Sequence, residues 1–178
     1  MSRQKNQEEG TSDTPMDRIG IRDRAKESIS STKPHPHGSN CKIVLVSPED
    51  IPYIWEKVHE HLKLMMPHSE GELNPEDFYD AIYEGEMQLW VAVDGDELLA
   101  SMVTQIVNYP RKRIMRIISI AGKSMEEWIE YMPIIEDWAL EHGCVSLECW
   151  GRKGWLKVLK DWKCSYHIIT KDLKGRMH

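Results

Sequence analysis

The residues best placed for chemistry lie where an apolar run ends and a helix is expected to begin. Gly122, Lys123 and Ser124 follow the run IMRIISIA. A helix N-terminus presents backbone N–H groups and a partial positive charge that bind anions, and a lysine adds a full charge. This segment is therefore a candidate phosphate-binding site. The alternative is an ordinary helix start, because Ser124 and Glu127 have the spacing of a capping box.

The cysteines and histidines do not form the patterns typical of metal or thiol chemistry. The four cysteines show no CxxC pair and are predicted to be reduced, mostly buried thiols. Cys149 falls in the apolar phase of the alternating segment CVSLECW, which favours a core residue over a nucleophile. His59 and His61 are two residues apart on a predicted helix and point to different faces. We therefore predict no metal site.

The charge balance argues against a general nucleic-acid binder. The chain has 23 Lys and Arg against 29 Asp and Glu, a net charge of −6, whereas nucleic-acid binding needs a basic face. The basic residues at 111–113 and 152–163 are interpreted as a turn and a solvated helix face, or as residues that surround the phosphates of a ligand. The apolar runs are too short to cross a bilayer and the N-terminus has no apolar signal segment. A cytoplasmic protein that does not enter a membrane is expected.

Composition divides the chain near residue 40. Residues 1–40 contain no aromatic side chain and few aliphatic ones. Such a segment cannot bury enough apolar surface to offset its ordering entropy, so it is predicted to be a disordered tail. Residues 41–178 form the predicted domain.

The hydrophobic pattern of the domain alternates between the strand and helix periods. It predicts a single α/β domain with a mixed sheet of six to seven strands flanked by helices. The strands at 114–121 and 144–150, joined through a helix that Pro133 should divide, are predicted to be adjacent and parallel. The other predicted elements are strands at 41–47, 87–93, 97–107 and 165–173 and helices at 51–66, 74–85 and 154–162.

This order of elements resembles the GNAT N-acetyltransferase superfamily over about residues 41–173. The resemblance rests on the strand IMRIISIAG, the helix start GKSMEEW, the strand CVSLECW and the closing segment GWLKVLKDWKCSYHIITKDL. The C-terminal segment from residue 151 is also similar to GNAT-like proteins encoded by tailed phages. The resemblance implies acetyl-CoA as the cofactor and transfer of its acetyl group to an amine.

The resemblance also implies roles for particular residues. The backbone at Ile118, Ser119 and Ile120 would stabilise the developing oxyanion, where two strands splay apart in the family. Gly122, Lys123 and Ser124 would receive the pyrophosphate of acetyl-CoA, although the second glycine and the leading Gln or Arg of the family loop are absent. Glu148 would take the proton from the amine, with a solvated or salt-bridged strand-end residue as the alternative. Leu159 stands where the family commonly has a tyrosine that protonates the thiolate.

Two functions from different classes remain open at this point. One is an acyl-CoA N-acyltransferase acting on an amine that the acidic surface attracts. The other is a non-catalytic GNAT-fold protein of a phage particle or its assembly, with phage structural proteins as partners and the host cytoplasm or virion as its location. The absence of family residues from the loop at Gly122–Ser124 and the long polar tail fit the second function. An oligomer is compatible with either.

Overall fold

The computed structural model describes residues 41–66, 73–123, 129–151, 153–166 and 168–171. The predicted tail at 1–40 and the predicted site residue Ser124 lie outside them. The strands are β1 (Lys42–Val46), β2 (Gln88–Asp94), β3 (Glu97–Tyr109), β4 (Lys112–Gly122) and β5 (Leu147–Cys149). The α-helices are α1 (Ile51–Met65), α2 (Pro75–Tyr83) and α3 (Met132–Glu141), and 3-10 turns span Pro48–Asp50, Ile129–Tyr131 and Lys153–Lys157.

The strands form one mixed sheet in the order β1-β2-β3-β4-β5. The first four strands pair antiparallel with their neighbours, and β4 pairs parallel with β5. The parallel pair is the one predicted from the strand–helix–strand connection, so the predicted α/β class and mixed sheet are confirmed. The tight turn between β2 and β3 uses Gly95 at a φ of 57°, a left-handed conformation that glycine adopts without steric cost.

Local signals place the helices that cover the sheet. Asn74 and Asp77 form a reciprocal capping box at the start of α2, with bonds of 2.8 and 2.9 Å. Pro133 stands in the first turn of α3, after the 3-10 turn Ile129–Tyr131, so the predicted division of this helical stretch is confirmed.

Each face of the sheet packs against its own helices, which produces two apolar cores. The side chains of α1 and α2 cover one face, and the core there includes Ile54, Val58, Leu62, Phe78, Val91 and Val103. Helix α3 covers the other face, where the core includes Trp90, Met102, Met115, Ile117, Met132 and Ile135. Successive strand residues alternate between these two cores, as the period of a strand requires.

The C-terminal part of the prediction is wrong. The sheet of the described residues has five strands rather than six to seven, and β5 is shorter than the predicted 144–150. The predicted strand at 165–173 is irregular where the structure describes it, and Tyr166 and Ile169 are exposed. An alternating pattern makes a strand only when another strand pairs with it. The predicted helix at 154–162 is reduced to the 3-10 turn Lys153–Lys157, because so short a helix depends on tertiary packing. In this segment Leu159 is buried and Trp162 packs partly against the α3-side core, but Leu156 is exposed.

None of the described helices is both long and apolar enough to cross a membrane.

Candidate active site

The most distinctive feature of the sheet is the point at which β5 stops accompanying β4. The parallel pairing runs from Met115 opposite Leu147 to Ile117 opposite Cys149, where β5 ends. Strand β4 continues to Gly122, and within the described sheet residues 118–122 have no strand on the β5 side. Backbone groups at such an edge are available to a ligand. We call this open edge the β4 cleft.

A β-bulge lies at the head of the β4 cleft. On the other side of β4, Thr104 pairs with Ile117 and Val103 with Ser119, so Ile118 is the extra residue. A bulge disrupts the ladder and changes the direction of local backbone groups, a feature often found beside active sites. The bulge and the end of β5 coincide at Ile117 and Ile118. This is where the resemblance implied an oxyanion-binding backbone.

The side chains of the next two predicted site residues serve the cores. Ser119 is buried, and its hydroxyl donates to the sulfur of Met65, at the end of α1, over 2.8 Å. Ile120 is half-buried and packs on the α3 side of the sheet. Any ligand in the β4 cleft would therefore meet these two residues mainly through their backbone.

Gly122 and Lys123 contact β3. A Cβ atom built on Gly122 would lie 2.4 Å from the carbonyl oxygen of Leu99, and its φ is +149°. The backbone N–H of Lys123 donates to that oxygen over 2.9 Å, and Lys123 Nζ lies 2.6 Å from Glu97 Oε1. The hydrogen bond and charge of Lys123 lower the pKa of Glu97. Both features of Lys123 suited to a phosphate thus have partners on β3, and their role in binding stays a prediction.

Sequence reasoning missed the role of His61, which it considered only as a metal ligand. Its Nδ1 lies 3.0 Å from the hydroxyl of the fully buried Ser101, whereas His59 faces Glu76 at 3.5 Å, so the two rings do point apart. Burial and then the charge of Lys123 lower the pKa of His61, which keeps it neutral at pH 7. His61 falls in phase with the apolar residues of α1, which was the signal available. It lines an open cavity of about 610 Å³ with Lys57, Glu60, Asp96, Glu97 and Leu98.

Glu148 belongs to a cluster that also contains Arg116, Trp150 and Tyr109, which we call the arginine cluster. Arg116 Nε donates to Glu148 Oε1 over 2.7 Å, and Trp150 Nε1 donates to the same oxygen over 2.9 Å. Arg116 Nη2 donates to the hydroxyl of Tyr109 over 3.0 Å, and the guanidinium carbon lies 4.2 Å from the centre of the Trp150 ring. Glu148 is therefore a salt-bridged residue near the end of its strand, as the alternative interpretation of this residue predicted. Its role as a base stays a prediction.

The partners of Glu148 were not among the predicted site residues. Arg116 is the only charged residue in the mainly apolar run IMRIISIA, which is a signal that could have drawn attention to it. Nothing local indicated that it would pair with a residue 32 positions later.

Cys149 packs beside the α3-side core, as its apolar phase predicted. Burial raises the pKa of its thiol, which remains protonated at neutral pH and is a poor nucleophile. The cysteines form no disulfide: Cys41 and Cys144 are buried and Cys164 is exposed.

The fold has counterparts among solved structures, although no protein-family model and no curated protein sequence matches the chain. A predicted acetyltransferase from Clostridium acetobutylicum, solved with acetyl-CoA, has a TM-score of 0.56 and 12% identity over 78% of this chain and 99% of its own. An aminoglycoside acetyltransferase from an uncultured soil metagenomic sample, solved with sisomicin, has a TM-score of 0.56 and 11% identity over 75% and 93%. A possible acetyltransferase from Clostridium difficile 630 has a TM-score of 0.53 and 12% identity over 75% and 97%. The described chain therefore has the fold of GNAT-type acetyltransferases.

Proposed function

We propose that this protein is an acyl-CoA N-acyltransferase of GNAT type that transfers an acetyl group from acetyl-CoA to an amine. The observation that carries the proposal is the coincidence, at Ile117 and Ile118, of the bulge in β4 with the end of β5. It occurs in a chain with the fold of acetyltransferases, one of which was solved with acetyl-CoA.

The open edge of β4 fits an extended ligand arm. Residues 118–122 offer backbone donors and acceptors to an extended chain laid beside them, as a sheet edge does for an added strand. Acetyl-CoA supplies the thioester whose carbonyl carbon the amine attacks. A backbone N–H at the bulge would stabilise the oxyanion that develops there. The fit is less complete at the pyrophosphate end, where Lys123 would have to exchange Glu97 for the phosphate.

The remaining requirement is proton transfer. The acceptor must lose one proton from its ammonium before the N–C bond forms, and the nitrogen loses a second proton to solvent after the bond has formed. The C–S bond then breaks, and the thiolate leaves and takes up a proton. Glu148 Oε1 already accepts two hydrogen bonds, so we expect Oε2 to receive the ammonium proton. Leu159 cannot supply the proton that the thiolate takes up, and in this proposal solvent supplies it.

Substitution of the carboxylate tests this role. Glu148→Gln keeps the shape and can still accept from Arg116 and Trp150, but it cannot act as a base. We expect kcat to fall by about 10²–10⁴-fold while the Kd for acetyl-CoA stays within twofold. The control is Glu141→Gln, on the exposed end of α3. An unchanged kcat in Glu148→Gln would remove Glu148 from the mechanism.

Calorimetric titration with acetyl-CoA tests the function itself. We expect saturable heat with the wild-type protein and about 5- to 30-fold weaker binding for Lys123→Ala, which corresponds to about 1–2 kcal/mol for a charge-assisted contact. Lys63→Ala is the matched control, because Lys63 is also an exposed lysine paired with a glutamate. Absence of heat and of any thermal shift with millimolar acetyl-CoA would reject the proposal.

Such a negative result would favour the alternative, a non-catalytic GNAT-fold protein in phage assembly. That function, the phage origin, the cytoplasmic or virion location and an oligomeric state all stay predictions.

A further inference from the structure

We propose that the arginine cluster is the acceptor subsite and that the acceptor is an amine with a carboxylate beside its amino group, such as an α-amino acid. This inference rests on the proposed function and names its substrate class. The ligand carboxylate would pair with Arg116, and the ligand ammonium with Glu148.

The position of the cluster in the sheet is the first argument. Met115 and Ile117 point into the α3-side core, so Arg116 between them points to the opposite face. Ile118, at the head of the β4 cleft, packs on that same face against the α1-side core. Two residues along a strand span about 7 Å, so Arg116 lies within the length of a small acceptor from the bulge.

The second argument is that Arg116 is held ready to bind an anion. Glu148, Tyr109 and the Trp150 ring fix its guanidinium in one orientation. A guanidinium has five N–H donors, and these contacts with described residues use two of them. The side chain of Arg116 is 16% exposed and that of Glu148 is 30% exposed, so the pair is reachable but partly shielded from water. A fixed, partly desolvated guanidinium binds carboxylates better than a mobile one.

The third argument concerns the walls of the cluster. Trp150 is 63% exposed and Tyr109 is 42% exposed, although both contact Arg116. Open aromatic rings beside a charged pair provide apolar contact for a ligand side chain. The rings thus complement the part of an amino acid that the charges do not bind.

The charge of the pair explains the selectivity that we infer. Glu148 alone would favour any cationic amine, but the positive charge of Arg116 opposes a second positive charge nearby. The Arg116–Glu148 pair is neutral as a whole, so an amine without an anionic group would leave the subsite with a net positive charge, whereas a zwitterion keeps it neutral and matches both charges. A purely structural ion pair, which only fastens β5 to β4, would show neither preference.

The test compares amino acids with the amines formed by their decarboxylation. We would measure release of free coenzyme A thiol with L-phenylalanine against phenethylamine and with L-leucine against isoamylamine, and calorimetric binding of each compound alone. We expect kcat/KM to favour the amino acid at least tenfold in the wild type. In Arg116→Met the ratio should fall to about one. Arg113→Met, which removes an exposed arginine from the same strand, should keep the ratio.

The outcomes separate this inference from the proposed function. Equal use of each pair by the wild-type protein would overturn the inference, and that comparison needs no variant to fold. A preference that survives Arg116→Met would overturn it as well. Where acetyl-CoA does not bind, the proposed function fails, and calorimetry alone decides the subsite. Binding of the amino acid at millimolar concentration that is lost in Arg116→Met would support the acceptor subsite. Absence of binding heat with the wild-type protein would overturn the subsite.

Discussion

Replacement of Gly122 by alanine should destabilise the fold, because this glycine fills a space that no side chain can share. The added Cβ would lie 2.4 Å from the carbonyl oxygen of Leu99 and 2.5 Å from the Cα of Ala100. Both are backbone atoms of β3, so relief requires β3 and β4 to separate. Overpacking of this kind costs about 1–3 kcal/mol, and a positive φ adds about 1–2 kcal/mol for an L-residue.

The expected loss for Gly122→Ala is therefore about 2–5 kcal/mol, a large fraction of the 5–15 kcal/mol typical of a domain. In urea, with an m-value of about 2 kcal/mol/M, the unfolding midpoint should fall by about 1–2.5 M. Gly143→Ala is the matched control. Gly143 also has a positive φ, of 76°, but a Cβ there would meet no atom of a described residue within 4 Å.

The difference between the two variants isolates the steric contribution of Gly122. Urea unfolding followed by tryptophan fluorescence measures both midpoints. Equal midpoints would refute the packing argument. Loss of acetyl-CoA binding by Gly122→Ala with an unchanged midpoint would show instead that the position serves the ligand.

Three further predictions concern other parts of the chain. Because burial and Lys123 lower the pKa of His61 below its ordinary value of 6.5, the unfolded state binds more protons below that pH. The free energy of unfolding should therefore fall as pH drops from 7.5 to 5.5, and His61→Asn should reduce that slope. Thr104→Val should cost about 1–3 kcal/mol in urea unfolding, because the buried Thr104 hydroxyl accepts from Trp90 Nε1 over 2.9 Å. Ile169→Asp should change thermal stability by no more than about 0.5 kcal/mol, because Ile169 is 93% exposed.

Each of these has a result that would contradict it. An identical pH slope in His61→Asn would mean that other groups control the acid sensitivity. A neutral Thr104→Val would indicate that the indole of Trp90 finds another acceptor, which a Trp90→Phe, Thr104→Val double-mutant cycle would detect as no coupling. A large loss of stability in Ile169→Asp would indicate that Ile169 is packed, as the predicted strand at 165–173 requires.

The fold of the domain could largely be predicted from sequence, because its signals are local. The period of the apolar residues distinguishes α1 from β2, and Asp94 and Gly95 mark the turn between β2 and β3. Asn74 and Asp77 mark the start of α2. The parallel pairing of β4 with β5 followed from handedness and connection length. The predicted strand at 165–173 is wrong because its alternating pattern is a local signal, whereas a strand also needs a partner strand from elsewhere in the chain.

The site depended on contacts between distant parts of the chain, and these were not readable from the pattern. Glu148 was identified as a candidate, but its ion pair with Arg116 depends on the register of two parallel strands. The contact of His61 with Ser101 depends on where α1 crosses the sheet. The bulge at Ile118 is one residue of mismatch between β3 and β4. Periodicity reports which face a side chain occupies, whereas register and helix crossing decide which side chains meet, and only the tertiary structure determines those.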